Sequence, residues 1–256
     1  MKLGLKLWSR NENYIQPALD LYQKKVFDYI ELFTVPGSAS YIEKWEKLDI
    51  PFVLHAPHSL AGFNPSIETR KEANFSLLPE VEQFRCALNP EYIIFHPGLD
   101  GSIDETIRQF CEIRKQFPEI HKLAIVENKP KVGLNAERCV GAAPQEISRV
   151  IEEADMGFCF DVGHAIGAAN SAGIEPHVLI RDFLQLSPNM FHLSDGDGES
   201  ELDAHLNFGS GNFGIAGILK LLPDDGMVTI ETDKSSLEDL GDFSRDVEYL
   251  NHLLDF

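Results

Sequence analysis

Short apolar runs recur along this chain, and between them the apolar residues shift to helical spacing. The runs at 3–8, 29–34, 52–55, 92–96, 123–127, 157–161, 190–194 and 228–231 have the length and composition of strands. Helix-period segments follow them at about 14–24, 39–47, 65–87, 103–116, 144–153, 175–186, 215–221 and 237–254. Asn64-Pro65 and Ala143-Pro144 give two of these a proline at the first helical position, where the missing N–H costs nothing. Eight strand–helix alternations, uninterrupted by a linker, repeat period or low-complexity tract, predict a single (β/α)8 TIM barrel domain over 1–256. A doubly wound open sheet is the competing architecture. It would place a glycine-rich phosphate loop after an early strand, whereas the first turn reads Trp8-Ser9-Arg10-Asn11.

Composition narrows the partners. With 43% hydrophobic and 25% charged residues the chain can bury a large core and is not disordered. A net charge of −19 opposes both a basic nucleic-acid surface and attraction to anionic membranes. Cys86, Cys111, Cys139 and Cys159 are far apart with no C-x-x-C pair, so free thiols are expected. The chain enters a strand at once, without a signal-peptide apolar region, and no run approaches membrane-spanning length. The expectation is a cytoplasmic protein with no membrane association, and no feature marks a protein partner.

In a barrel, functional side chains project from the C-terminal strand ends and the loops that follow. Here those positions read His55-Ala56-Pro57, His96-Pro97-Gly98, Glu127-Asn128, Asp161-Val162-Gly163-His164, His192 and Glu231-Thr232-Asp233. The stretch 191–214 adds Asp203 and His205, whose i, i+2 spacing on extended chain would point both to one side. Any one of these is most simply a polar strand end or a helix cap. Nine on one rim would crowd like charges unless cations neutralised them. Asp161, Asp203, Glu127 and Glu231 contribute −4, and the histidines are neutral as ligands. One divalent ion leaves −2, two leave 0 and three leave +2, so on this set only the three-ion state attracts a phosphate ester. Nine groups exceed one coordination sphere and suit three ions sharing a carboxylate. Zinc fits the imidazole and carboxylate donors, with manganese or magnesium as alternatives.

Other chemistry-capable residues have plainer readings. His121, His177 and His252 are expected on exposed faces; Lys129, Lys131, Arg70 and Lys71 could meet a substrate phosphate, with solvated charge the plainer reading for any one of them. Trp8 and Phe33 end the first two strands, to line a pocket mouth or pack the barrel.

The motifs H-A-P, F-H-P-G, E-N, D-V-G-H, H-L-S-D, D-A-H-x3-G-x-G-x2-G and E-T, from His55 to Glu231, resemble endonuclease IV within the xylose isomerase-like barrel superfamily. The resemblance implies that His55 and His96 hold one metal and that Glu127 bridges it to a second. Asp161, His192 and Glu231 would complete the second, and His164, Asp203 and His205 the third. It further implies phosphodiester hydrolysis by a metal-bridging hydroxide, with Glu127 and Glu231 as catalytic residues that orient or deprotonate the water. Four positions depart from the family pattern. Pro36 is followed by Gly37, Ser38 and Ala39 instead of a Pro-Arg-x-Trp-like element. His58 replaces a tyrosine, Lys129-Pro130-Lys131 replaces Thr-Ala-Gly, and Ser210 replaces a glutamate. The ligand set is intact while the DNA-handling loops are altered, which leaves abasic DNA or a smaller phosphate ester as the expected substrate. Two other readings compete: a sugar or sugar-phosphate isomerase or epimerase with a single Mn or Mg ion on Glu127, Asp161, His192 and Glu231, and a non-enzymatic metal-binding barrel.

Overall fold

Eight parallel strands close on themselves in sequential order, each hydrogen-bonded to the next and the eighth to the first. The structure, a computed structural model, describes residues 1–254. The strands are β1 (Lys2–Trp8), β2 (Tyr29–Phe33), β3 (Phe52–His55), β4 (Ile93–Phe95), β5 (Ala124–Glu127), β6 (Gly157–Asp161), β7 (Met190–Leu193) and β8 (Met227–Ile230). The α-helices are α1 (Ile15–Gln23), α2 (Ile42–Glu46), α3 (Lys71–Leu88), α4 (Ile103–Gln116), α5 (Pro118–His121), α6 (Pro144–Ala154), α7 (Val162–Ala172), α8 (Pro176–Leu184), α9 (Ile215–Leu219) and α10 (Gly241–Leu254).

Two-residue periodicity divides each strand between two cores. Leu3, Leu5, Ile30, Leu32, Leu54, Phe95, Val126, Phe158, Phe160, Phe191, Val228 and Ile230 join the core shared with the helices. The alternate residues Tyr29, Val53, Ile94, Ile125, Cys159, Met190 and Met227 form a second cluster that fills the barrel. This apolar plug lies one side-chain step below the polar groups of the rim.

The helices depart from the sequence pattern where local signals mislead. Pro65 lies in a turn, because the 65–70 stretch runs through a turn and a 3-10 segment before α3 begins at Lys71. Pro144 does open α6. α10 starts at Gly241, four residues after the expected start. The helix α7 was hidden by its two glycines, which weaken helix propensity. Its N-cap is Asp161, whose carboxylate accepts from the His164 N–H at 2.7 Å. All four cysteines are free, and no helix among the described residues is long and apolar enough to cross a membrane.

Candidate metal centre

The rim is one step further along the inward face of each strand. Val53 leads to His55, Ile94 to His96, Ile125 to Glu127, Cys159 to Asp161 and Met190 to His192. On β8 the inward step from Thr229 reaches Glu231, one residue beyond the strand. The parallel register sets Glu127 beside Cys159 and Asp161 beside His192.

Side chains from distant parts of the chain thereby converge. His55 Nε2 is 3.1 Å from His96 Nε2 and 3.3 Å from Glu127 Oε2, and His96 Nε2 is 3.0 Å from the same oxygen. The other Glu127 oxygen is 3.0 Å from His164 Nδ1. Asp203 Oδ2 stands 3.3 Å from His164 Nε2 and 3.1 Å from His205 Nε2. His192 Nδ1 faces Glu231, Glu127 and Asp161 at 3.2, 3.5 and 3.8 Å. All nine predicted residues are therefore gathered in one place.

Four of the histidines have one ring nitrogen committed to an oxygen that can only accept. His55 Nδ1 donates to the Ala56 carbonyl at 2.9 Å, His164 Nδ1 to Asn128 O at 2.9 Å and His205 Nδ1 to Glu231 O at 2.8 Å. His192 Nε2 donates to Glu31 Oε2 at 2.8 Å. In the neutral ring the other nitrogen is then a bare lone pair directed at carboxylates, the arrangement outer-shell partners impose on metal-binding histidines. Two buried atoms in this cluster, His192 Nδ1 and Asp203 Oδ2, have no hydrogen-bond partner. Ring nitrogens aimed at buried carboxylates need a proton or a metal cation between them, and the donor set suits divalent ions.

Asp203 and His205 reach this point by a route other than the expected one. The segment is not a strand: His205 has φ +47° and its N–H turns back to Asp203 Oδ1 at 3.3 Å. Two supports fix it. Asp195 accepts from the N–H groups of Gly196, Gly209, Gly211 and Phe213 at 2.9–3.1 Å, which wraps the glycine-rich stretch around one carboxylate. A side chain at Gly211 would strike the Gly196 backbone, so this wrap requires glycine there. On the other side Asn170 of α7 donates to Gly198 O and Ser200 O. A Cβ at Gly167 would lie 2.7 Å from Glu201 O, so glycine lets the loop dock on the helix.

Three site residues carry more than the sequence pattern assigns to them. Lys6 and Glu31 lie on the inward faces of β1 and β2, inside runs that read as plain strands. The Lys6 ammonium pairs with both Glu31 and Glu231. Glu31, fully buried, also accepts from Thr229 Oγ1 at 2.7 Å. Burial would raise the Glu31 pKa, yet His192 and Lys6 outweigh it and bring it to about 2. Asp161 goes the other way: burial, reinforced by Asp203, Glu127 and Glu231 against the opposing pull of His164, pushes it up to about 6. Lys129 is the third. It is not solvated surface charge, for its side chain is 13% exposed and its Nζ lies 3.1 Å from His164 Nε2 and 3.5 Å from Glu127 Oε1.

These residues revise the charge balance. Five carboxylates and two ammonium groups leave −3 before any metal, so two divalent ions already make the site positive. Three ions are not required by charge alone, and the third position rests on the Asp203–His205 geometry. His121 is a further correction: it is buried, with Nε2 donating to Ala154 O at 2.8 Å, because α5 packs it against the end of α6. His177 is exposed as expected.

Residues 23–253 match the model of the xylose isomerase-like TIM barrel family. The chain belongs to that family. A probable endonuclease 4 of Thermoplasma volcanium is 28% identical over 182 residues, which cover 67% of this chain and 62% of that protein. Among solved structures, a D-tagatose 3-epimerase-like protein superposes with a TM-score of 0.75 at 21% identity, covering all of this chain and 97% of that one. Endonuclease IV of Thermus thermophilus superposes with a TM-score of 0.74 at 18% identity, covering all of this chain and 99% of that one. The barrel is thus equally near to structures named for two chemistries.

Within this xylose isomerase-like barrel, a cavity of about 600 Å³ opens over the cluster. That is the volume of a small-molecule site. Trp8 and Phe33 line it, and so do Leu60, Leu134 and Leu237, each at least 70% exposed at the mouth. His58 is stacked on His96 with ring centroids 5.2 Å apart, and burial lowers its pKa to about 3, so it is a neutral wall of the pocket. The Pro36 loop is held down: Gly37 and Ser38 donate to Glu80 of α3 at 2.8 and 2.6 Å, and Arg10 donates to Pro36 O. Ser210 is exposed and outside the pocket.

Proposed function

We propose that this protein is a divalent-metal-dependent phosphoester hydrolase acting on a small phosphate ester. The observation that carries this reading is the cluster of His164, Asp203 and His205, joined through Glu127 to His55 and His96. The single-ion set of Glu127, Asp161, His192 and Glu231 does not include that additional cage. His55, His96 and Glu127 would hold one ion, Glu127, Asp161, His192 and Glu231 a second, and His164, Asp203 and His205 a third, with zinc matching the donor set. Bound there, such ions would supply Lewis-acid polarisation of phosphoryl oxygens and lower the pKa of water to near neutrality. Glu127 and Glu231, both presented to the pocket, orient the attacking water and receive its proton. The cavity size, the apolar mouth and the pinned Pro36 loop favour a compact ester over abasic DNA.

A second reading has its own support. Glu127, Asp161, Glu231 and His192 Nδ1 form a compact set that could serve one Mn or Mg ion in a sugar isomerase or epimerase, with the two glutamates exchanging protons beside a carbonyl. Elemental analysis of the purified protein, beside assays on a panel of sugar phosphates and an abasic-site oligonucleotide, separates the two. More than one ion per chain with phosphate release is expected. Asp203→Ala should lower phosphoester cleavage by about 100-fold or more while the melting transition survives. Full activity in that variant, or a single ion per chain with isomerisation, would remove the hydrolase reading.

A further inference from the structure

Lys129 stands where the third ion would enter. Its backbone is fixed, since its N–H donates to Gly141 O at 3.0 Å and Pro130 follows it, so only the side chain is free to move. The Nζ donates to His164 Nε2 at 3.1 Å. His164 Nδ1 is already donating to Asn128 O, which leaves Nε2 as the single lone pair of that ring. An ion ligated by the same nitrogen would sit about 2.0–2.1 Å from it, roughly 1 Å inside the ammonium position and on the same lone pair. An ammonium and a divalent cation cannot share that space, and their repulsion opposes even near neighbours.

We propose that Lys129 and a divalent ion are mutually exclusive occupants of the cage formed by His164, Asp203 and His205, so that this position fills last and most weakly. The proposal rests on the multi-ion reading given above. The ammonium places positive charge at His164 Nε2 and beside Glu127, and an ion on that nitrogen must displace it. The expelled side chain has the pocket to move into, since Lys129 lines the same cavity. At the other positions an ammonium reaches only a carboxylate and never the ring lone pair of a histidine: Lys129 lies 3.5 Å from Glu127 Oε1, and Lys6 pairs with Glu231 and Glu31 and leaves His192 Nδ1 uncovered.

The test is a zinc-binding isotherm on the full-length apoprotein, read by calorimetry and by equilibrium dialysis with elemental analysis. Wild type is expected to take up two ions tightly and a third at least about tenfold more weakly, given the charge that must be displaced. Lys129→Met should strengthen the third association about tenfold or more and the first two, which it meets only through Glu127, by clearly less, whereas Lys129→Arg should behave as wild type. Lys129→Gln serves equally if the methionine variant does not fold. Three equivalent ions in wild type, or a third association indifferent to removal of the Lys129 charge, would overturn the proposal and leave the hydrolase reading standing. One ion or none in every variant would overturn both.

Discussion

Glu31 shows how one buried carboxylate can set several others. It accepts from His192 Nε2, from Thr229 and from the Lys6 ammonium, which in turn holds Glu231. Through these contacts it fixes which His192 nitrogen faces Glu127, Asp161 and Glu231 and where Glu231 points, without lining the pocket itself. Outer-shell partners of this kind are worth about 10–100-fold in metal affinity. Glu31→Ala should therefore weaken ion binding at the His192 position by about that factor, measured by competition with a chelator. The position held by His55 and His96 should change much less, since neither touches Glu31. Equal weakening at both would show a general loss of structure instead.

At the scale of elements, the loop from Asp195 to Gly214 has little regular structure, yet it carries two of the nine candidate ligands. It keeps its shape because one side wraps around the Asp195 carboxylate and the other docks on the glycine-bearing face of α7. Removing Asp195 strands four backbone donors, and an unsatisfied buried group costs about 1–3 kcal/mol. Asp195→Ala should lower stability by at least about 2 kcal/mol in denaturant unfolding. It should also cost the protein the ion at Asp203 and His205 before those held by strand-end residues. Retention of every ion at wild-type affinity in that variant would show that the wrap does not position the ligands.

For the whole molecule, charge and cavity shape point to the same class of substrate. A net charge of −19 repels a polyanion over long range, whereas a small ester would meet only a cavity that bound metal ions would make locally positive. Binding to an abasic oligonucleotide should accordingly be weak at physiological salt and show little of the steep salt dependence that follows counterion release from a phosphate backbone. A steep decrease of log K with log salt, accompanied by cleavage, would restore DNA as the substrate.

Much of this protein was legible in its residues. The alternation of strand and helix runs is a local property of the chain, so the barrel and the strand-end histidines and carboxylates could be read directly. α7 was missed because its glycines serve a contact with the 200–205 loop that no local pattern reveals. Lys6 and Glu31 were missed for a related reason: within β1 and β2 they are polar positions in strands, and only barrel closure brings Glu31 to His192, 161 residues away in sequence, and Lys6 to Glu231, 225 residues away. Lys129 read as surface charge because its burial depends on the 129–141 loop folding over the rim. Which candidate ligands are available follows from the order of residues along the strands; which charges face them follows from closure of the barrel and docking of the loops, because Coulomb interactions depend on distance through space and not along the chain.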